Sequence, residues 1–129
     1  MSTDDRLRVH PQERLAGVAL HVNLVEAATR LRGELHASKN GHRQVAVARH
    51  GSLATLLFVF ERDGLLKAHR ADGEVTIHVL AGELEVTLDT GPVTLRGGQL
   101  LALAAGLTHS VRGVEASEML LTICHRAAS

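Results

Sequence analysis

The sequence predicts an all-β fold, a sandwich or barrel of short strands. Three observations carry the prediction. Strand-length segments recur from residue 44 onward, most of them closed by a glycine-bearing turn. In residues 83–89, Leu84, Val86 and Leu88 alternate with Glu83, Glu85, Thr87 and Asp89, the period of a strand with one dry and one wet face. Residues 52–61 form an almost unbroken apolar run with β-branched and aromatic side chains, as in a strand covered on both faces.

In chain order, residues 1–18 are mostly polar and are expected to form an N-terminal arm, extended or with a short helix. Residues 21–24 are expected as a short strand. Residues 25–32, with Ala and Leu at helical spacing, are expected as a helical turn, and 33–41 as a loop. Strands are then expected at 44–49, 52–61, 65–70, 75–80, 83–89, 93–96, 100–105, 107–112 and 118–125. Asp63-Gly64, Asp72-Gly73, Ala81-Gly82, Thr90-Gly91-Pro92 and Gly97-Gly98 supply turn signals between them. No repeat, linker or low-complexity tract divides the chain, so residues 19–129 are expected to form one domain. Residues 100–105 are as apolar as 52–61, so both segments call for a cover on each face. The N-terminal segment or a second subunit is the expected cover.

Composition narrows the function. The chain has 129 residues, enough for one domain. It is 45% hydrophobic but only 2% aromatic, with Phe58 and Phe60 as its only aromatic rings besides histidine. Base stacking, the usual hold on single-stranded nucleic acid, is therefore nearly unavailable. Fourteen basic and fourteen acidic residues cancel, which argues against general attraction to phosphate backbones or anionic lipid. The longest apolar runs, 54–60 and 100–105, are too short to span a bilayer as a helix. The expected partners include neither nucleic acid nor membrane. The single cysteine, Cys124, has no intrachain disulfide partner, and the polar residues 1–14 lack a signal core. Both point to a cytoplasmic protein. Nine histidines are the unusual count, in a chain whose charge should turn positive in mild acid.

Residues 64–125 resemble the cupin pattern. The first cupin motif opens on Gly, continues His-any-His, then Glu, and closes on Gly seven residues beyond that Glu. His69 stands at the first His, Ala71 at the second, Val75 at the Glu and Gly82 at the closing Gly. Gly64 lies one residue nearer to His69 than the pattern asks. In the second motif, Gly98, Ala104, Gly106 and His109 keep the spacing, with Ala104 in place of Pro. The segments Gly98-Gln99-Leu100-Leu101-Ala102-Leu103, Thr108-His109-Ser110-Val111 and Leu120-Leu121-Thr122-Ile123 resemble a set of small single-domain cupins with no settled activity. The resemblance implies a double-stranded β-helix (jelly-roll) barrel. Small cupins commonly pair, so a homodimer is expected.

The resemblance also implies an interior site, and the departures from the pattern define it. A catalytic zinc, iron, manganese or nickel ion takes three or four nitrogen or oxygen ligands, at about 2.0–2.2 Å for zinc. Ala71 and Val75 are not ligands, which leaves His69 and His109. Glu74, in the turn, or His78 are the candidates for a third ligand. Val75, Ile77 and Val79 share one face of their strand, so alternation turns His78 the other way. The expected pocket comprises His69, Ala71, Val75, Ile77, His109 and Val111. The first reading is an aliphatic pocket with two interior histidines that holds a small organic molecule, with no cofactor assigned. The alternative is a divalent-metal-dependent enzyme, of dioxygenase or isomerase type, using His69, His109 and a non-standard third ligand.

Other residues carry plainer expectations. His36, His42 and His50 are expected in loops or at the surface, and no metal-type spacing joins them. Cys124 and His125 are strand neighbours that point to opposite faces and do not form a nucleophile pair; Cys124 is expected to be buried and structural. Glu83, Glu85 and Asp89 form a wet face, and Arg70, Arg96 and Arg112 are expected to be solvated. No catalytic residue is assigned.

Overall fold

The computed structural model describes residues 19–35 and 37–126. The expected N-terminal arm, residues 1–18, and His36 lie outside the described residues. Among the described residues, one helix, α1 (Leu24–Arg32), precedes nine strands: β1 (His42–His50), β2 (Leu53–Phe60), β3 (Leu65–Arg70), β4 (Glu74–Ala81), β5 (Glu83–Leu88), β6 (Gly91–Arg96), β7 (Leu100–Leu103), β8 (Thr108–Gly113) and β9 (Ser117–Cys124). They form an antiparallel five-stranded sheet, in the order β1-β2-β9-β4-β7, and a four-stranded sheet, in the order β3-β8-β5-β6. This is the jelly-roll barrel that the sequence predicts.

The core lies between the sheets. Val75, Ile77 and Val79 of β4 meet Leu84 and Val86 of β5, with Phe58, Met119 and Val111 around them. A second cluster lies on the outer face of the five-stranded sheet. There, Ala28 and Leu31 of α1 pack on Leu57 and Val59 of β2. β2 is thus apolar on both faces because Phe58 and Phe60 face the barrel while Leu57 and Val59 face the helix. Burying Leu31 alone contributes about 1.5–3 kcal/mol.

Several expectations change. Residues 21–23 are not a strand: Asn23 caps α1, its side-chain oxygen accepting the Glu26 N–H at 3.0 Å. β7 does not share the full cover of β2. It is the edge of its sheet, and Leu100 is 59% exposed while Leu103 is buried. The turn before β6 is Asp89-Thr90, and Pro92 lies inside that strand. β6 is an edge strand, where the missing N–H of proline is tolerated. Cys124 is exposed, because it ends β9 at the margin of the sheet. His42 is neither in a loop nor at the surface. It opens β1 at 6% exposure, beside the rings of Phe58 and Phe60 at 5.7 and 5.6 Å between centroids.

Candidate functional site at the mouth between β1 and β3

β1 and β3 are edge strands of different sheets, and backbone and side-chain hydrogen bonds tie them together. The Leu65 N–H donates to Asn40 O at 2.8 Å, and the ring of His42 donates from Nδ1 to Leu65 O at 3.0 Å. The approach is close enough to require glycine. A Cβ on Gly64 would lie 2.1 Å from Gly41 O, so any side chain there would push the two lead-in segments apart.

β3 then does something that alternation does not predict. Leu66 pairs with Val111 and His69 with His109, three residues apart on β3 and two on β8. The extra residue is a β-bulge. Without it, Leu66 and His69 would point to opposite faces. With it, Leu66 and His69 are both half-buried while Lys67 and Ala68 are exposed. His69 thereby comes directly opposite His109, with ring centroids 4.3 Å apart.

Both imidazoles are held alike. His69 Nδ1 lies 3.0 Å from Lys67 O, and His109 Nδ1 lies 3.2 Å from Leu107 O. A carbonyl oxygen only accepts, so Nδ1 carries the proton in each ring. A neutral ring then keeps its lone pair on Nε2. His109 is 1% exposed, and its Nε2 is buried with no hydrogen-bond partner among the described residues. Burial lowers the pKa of His109 below the ordinary 6.5, the hydrogen bond to Leu107 raises it, and the neighbouring His69 lowers it further. The net direction is down, which favours the neutral ring.

An open pocket of about 290 Å³ adjoins His69, behind which His109 is buried. Lys39, Asn40, His42 and Gln44 line it from β1 and its lead-in; Leu66, Lys67, Ala68 and His69 line it from β3. His42 and Gln44 lie two residues apart on one face of β1, and His42 Nε2 is 3.3 Å from Gln44 Oε1. The β1 side of this pocket lies outside the site residues expected from the sequence. Its signal was the pair His42 and Gln44, set out of phase with Val45 and Val47.

The other expected site residues lie elsewhere. Val75, Ile77 and Val111 are buried in the core, and Ala71 packs against it. They are packed wall, and the pocket at His69 is lined by other side chains. The candidate third ligands do not reach the imidazole pair. Glu74 is ion-paired with Arg126 at 3.2 Å. His78 alternates with the core residues Ile77 and Val79 and lies between Leu120 and Leu100 in the sheet. Among the described residues no three His, Cys, Asp or Glu side chains gather as a metal site. The cupin fold implies a divalent metal, but the donor set here does not fit one. Two imidazoles are available, and the remaining motif positions are the aliphatic Ala71 and Val75.

Two antiparallel sheets closed into a jelly roll, with paired imidazoles on β3 and β8, define a double-stranded β-helix protein. A cupin-domain family model matches residues 56–124, more than half of the chain, and the chain belongs to the cupin family. No curated protein matches the sequence. Among solved structures, it is similar to a cupin from Desulfovibrio desulfuricans at 26% identity, covering 71% of this chain and 92% of that one, with a TM-score of 0.61. A conserved Streptococcus pyogenes protein of unknown function is 23% identical, covering 70% and 80%, with a TM-score of 0.64. KdgF from a Halomonas species is 20% identical, covering 74% and 89%, with a TM-score of 0.62.

Proposed function

We propose that this cupin binds a small organic molecule in the pocket between β1 and β3, with His69, backed by the buried His109, in its polar wall and no resident metal. The observation that carries this reading is the pair itself. Two imidazoles are locked with Nδ1 on backbone carbonyls, and the buried Nε2 of His109 has no partner among the described residues. His69 is the ring that lines the pocket; with Nδ1 on Lys67 O, its Nε2 lone pair can accept from a ligand hydroxyl or N–H. The pocket volume suits a ligand of a few heavy atoms up to the size of a small metabolite. A metal-dependent reaction at the same pair has less support, because Ala71 and Val75 offer no donor atom.

A fragment screen followed by backbone-amide NMR tests the proposal. Neutral and charged fragments bearing hydroxyl or amide groups are expected to shift the amides of residues 39–44 and 66–69, and His69→Ala is expected to abolish those shifts. Hits that map only elsewhere on the barrel, or that bind His69→Ala as well as the wild type, would overturn it.

A further inference from the structure

The charge around this mouth points to the class of ligand, and the inference rests on the binding reading above. Lys39 approaches the pocket from the β1 side and Lys67 from the β3 side. Among the described residues neither ammonium has an ion pair. The described lining contains no carboxylate. Of the neighbouring acids, Asp63 and Glu85 pair with Arg112 at 3.1 and 3.5 Å, and Glu61, which accepts from Ser38 Oγ at 2.7 Å, lies outside the lining. This local excess stands out in a chain whose formal charges cancel.

The amides beside the lysines extend the same preference. Asn40 and Gln44 both line the pocket, and each carries a side-chain NH₂ able to donate to an anion. His42 Nδ1 donates to Leu65 O, so a neutral ring keeps a lone pair on Nε2 and pairs there with the Gln44 side-chain amide through its NH₂. The second N–H of that NH₂ remains for a ligand. Leu66 and Ala68 add apolar surface to the same lining. A positive rim, amide donors and an apolar patch match a molecule with an anionic end and a hydrocarbon body.

We infer that the mouth between β1 and β3 takes a small organic carboxylate, held by Lys39 and Lys67 with its body against Leu66 and His69. The bulge of β3 builds both parts of this arrangement, since the extra residue exposes Lys67 while turning His69 inward.

Matched probes test the class of ligand. Butyrate and butyramide, succinate and succinamide, and inorganic phosphate are titrated into the full chain at low salt, with backbone-amide NMR as the readout. The carboxylates are expected to shift residues 39–44 and 66–69 and to bind at least about tenfold more tightly than their amides. Lys39→Gln and Lys67→Gln are each expected to weaken the carboxylates about three- to fivefold and to leave the amides unchanged. Equal binding of acid and amide would overturn the carboxylate assignment while leaving the pocket reading intact. Phosphate binding without carboxylate binding would also overturn it. No shift of these residues with any probe would overturn the assignment, and failure of the wider fragment screen as well would remove the reading beneath it.

Discussion

The wall of the barrel at β4 and its mouth at β3 descend from one sequence motif, yet they have opposite characters. At β4, Val75 stands where the cupin pattern has a glutamate, and it is 3% exposed inside a packed aliphatic cluster. At β3, His69 keeps the motif's imidazole, and a bulge sets it half-exposed against His109 beside an open pocket. The difference teaches that loss of two ligands has not left a hole. The apolar replacements have joined the core, and the remaining polar chemistry is concentrated at the edge between the sheets.

The sharpest way to break this comparison is to restore the missing acid. Val75→Glu in metal-free protein is expected to destabilise the fold by about 3–5 kcal/mol, as an unpaired charge enters the core. Urea unfolding would measure it. Combined with Ala71→His, it should give a protein whose unfolding midpoint rises when zinc is added. If Val75→Glu is tolerated without metal, the β4 wall is not the sealed core described here. Ile77→Ala, at a position with 0% exposure, should cost about 2–5 kcal/mol by the same measurement.

The mouth should respond differently. His69→Ala is expected to change stability by no more than about 0.5 kcal/mol, as at other partly exposed sites, while removing ligand binding. His109 should make stability depend on pH. Its folded-state pKa lies below the ordinary value of 6.5, so the unfolded chain binds the proton more readily as pH falls. The contribution is complete above about 6.5 and is lost as pH drops through that value toward the folded pKa. His109→Leu should therefore show a shallower loss of stability between about pH 7 and 5 than the wild type does. Parallel curves would contradict the burial of a neutral ring. The smallest effect is expected at the surface. Removing the ion pair between Arg32 of α1 and Glu118 of β9 should cost about 0.2–1 kcal/mol.

Much of the fold is legible in the residues, because it depends on local patterns. The alternation of Leu84, Val86 and Leu88 sets one face of β5, and that of Val75, Ile77 and Val79 predicts that His78 turns away from the core. The resemblance to the cupin motifs also brings His69 and His109 into correspondence. The β1 side of the site is less legible. His42 precedes the apolar alternation of its strand, and its burial depends on Phe58, Phe60 and Leu65, which are remote in sequence. The bulge is hidden for a related reason. Lys67 and Ala68 carry no turn signal, and only the pairing with β8 makes one of them an extra residue. Cys124 reads as core by composition, but its place at the end of β9 is a property of sheet length.

The central claim is that the imidazole pair serves a small organic ligand without a resident metal. Metal content of the chain, purified without a metal-affinity column and compared with His69→Ala, tests this most directly. The prediction is far less than one equivalent of zinc, iron, manganese or nickel per chain, with no difference between the two proteins. About one equivalent in the wild type that disappears in His69→Ala would contradict it.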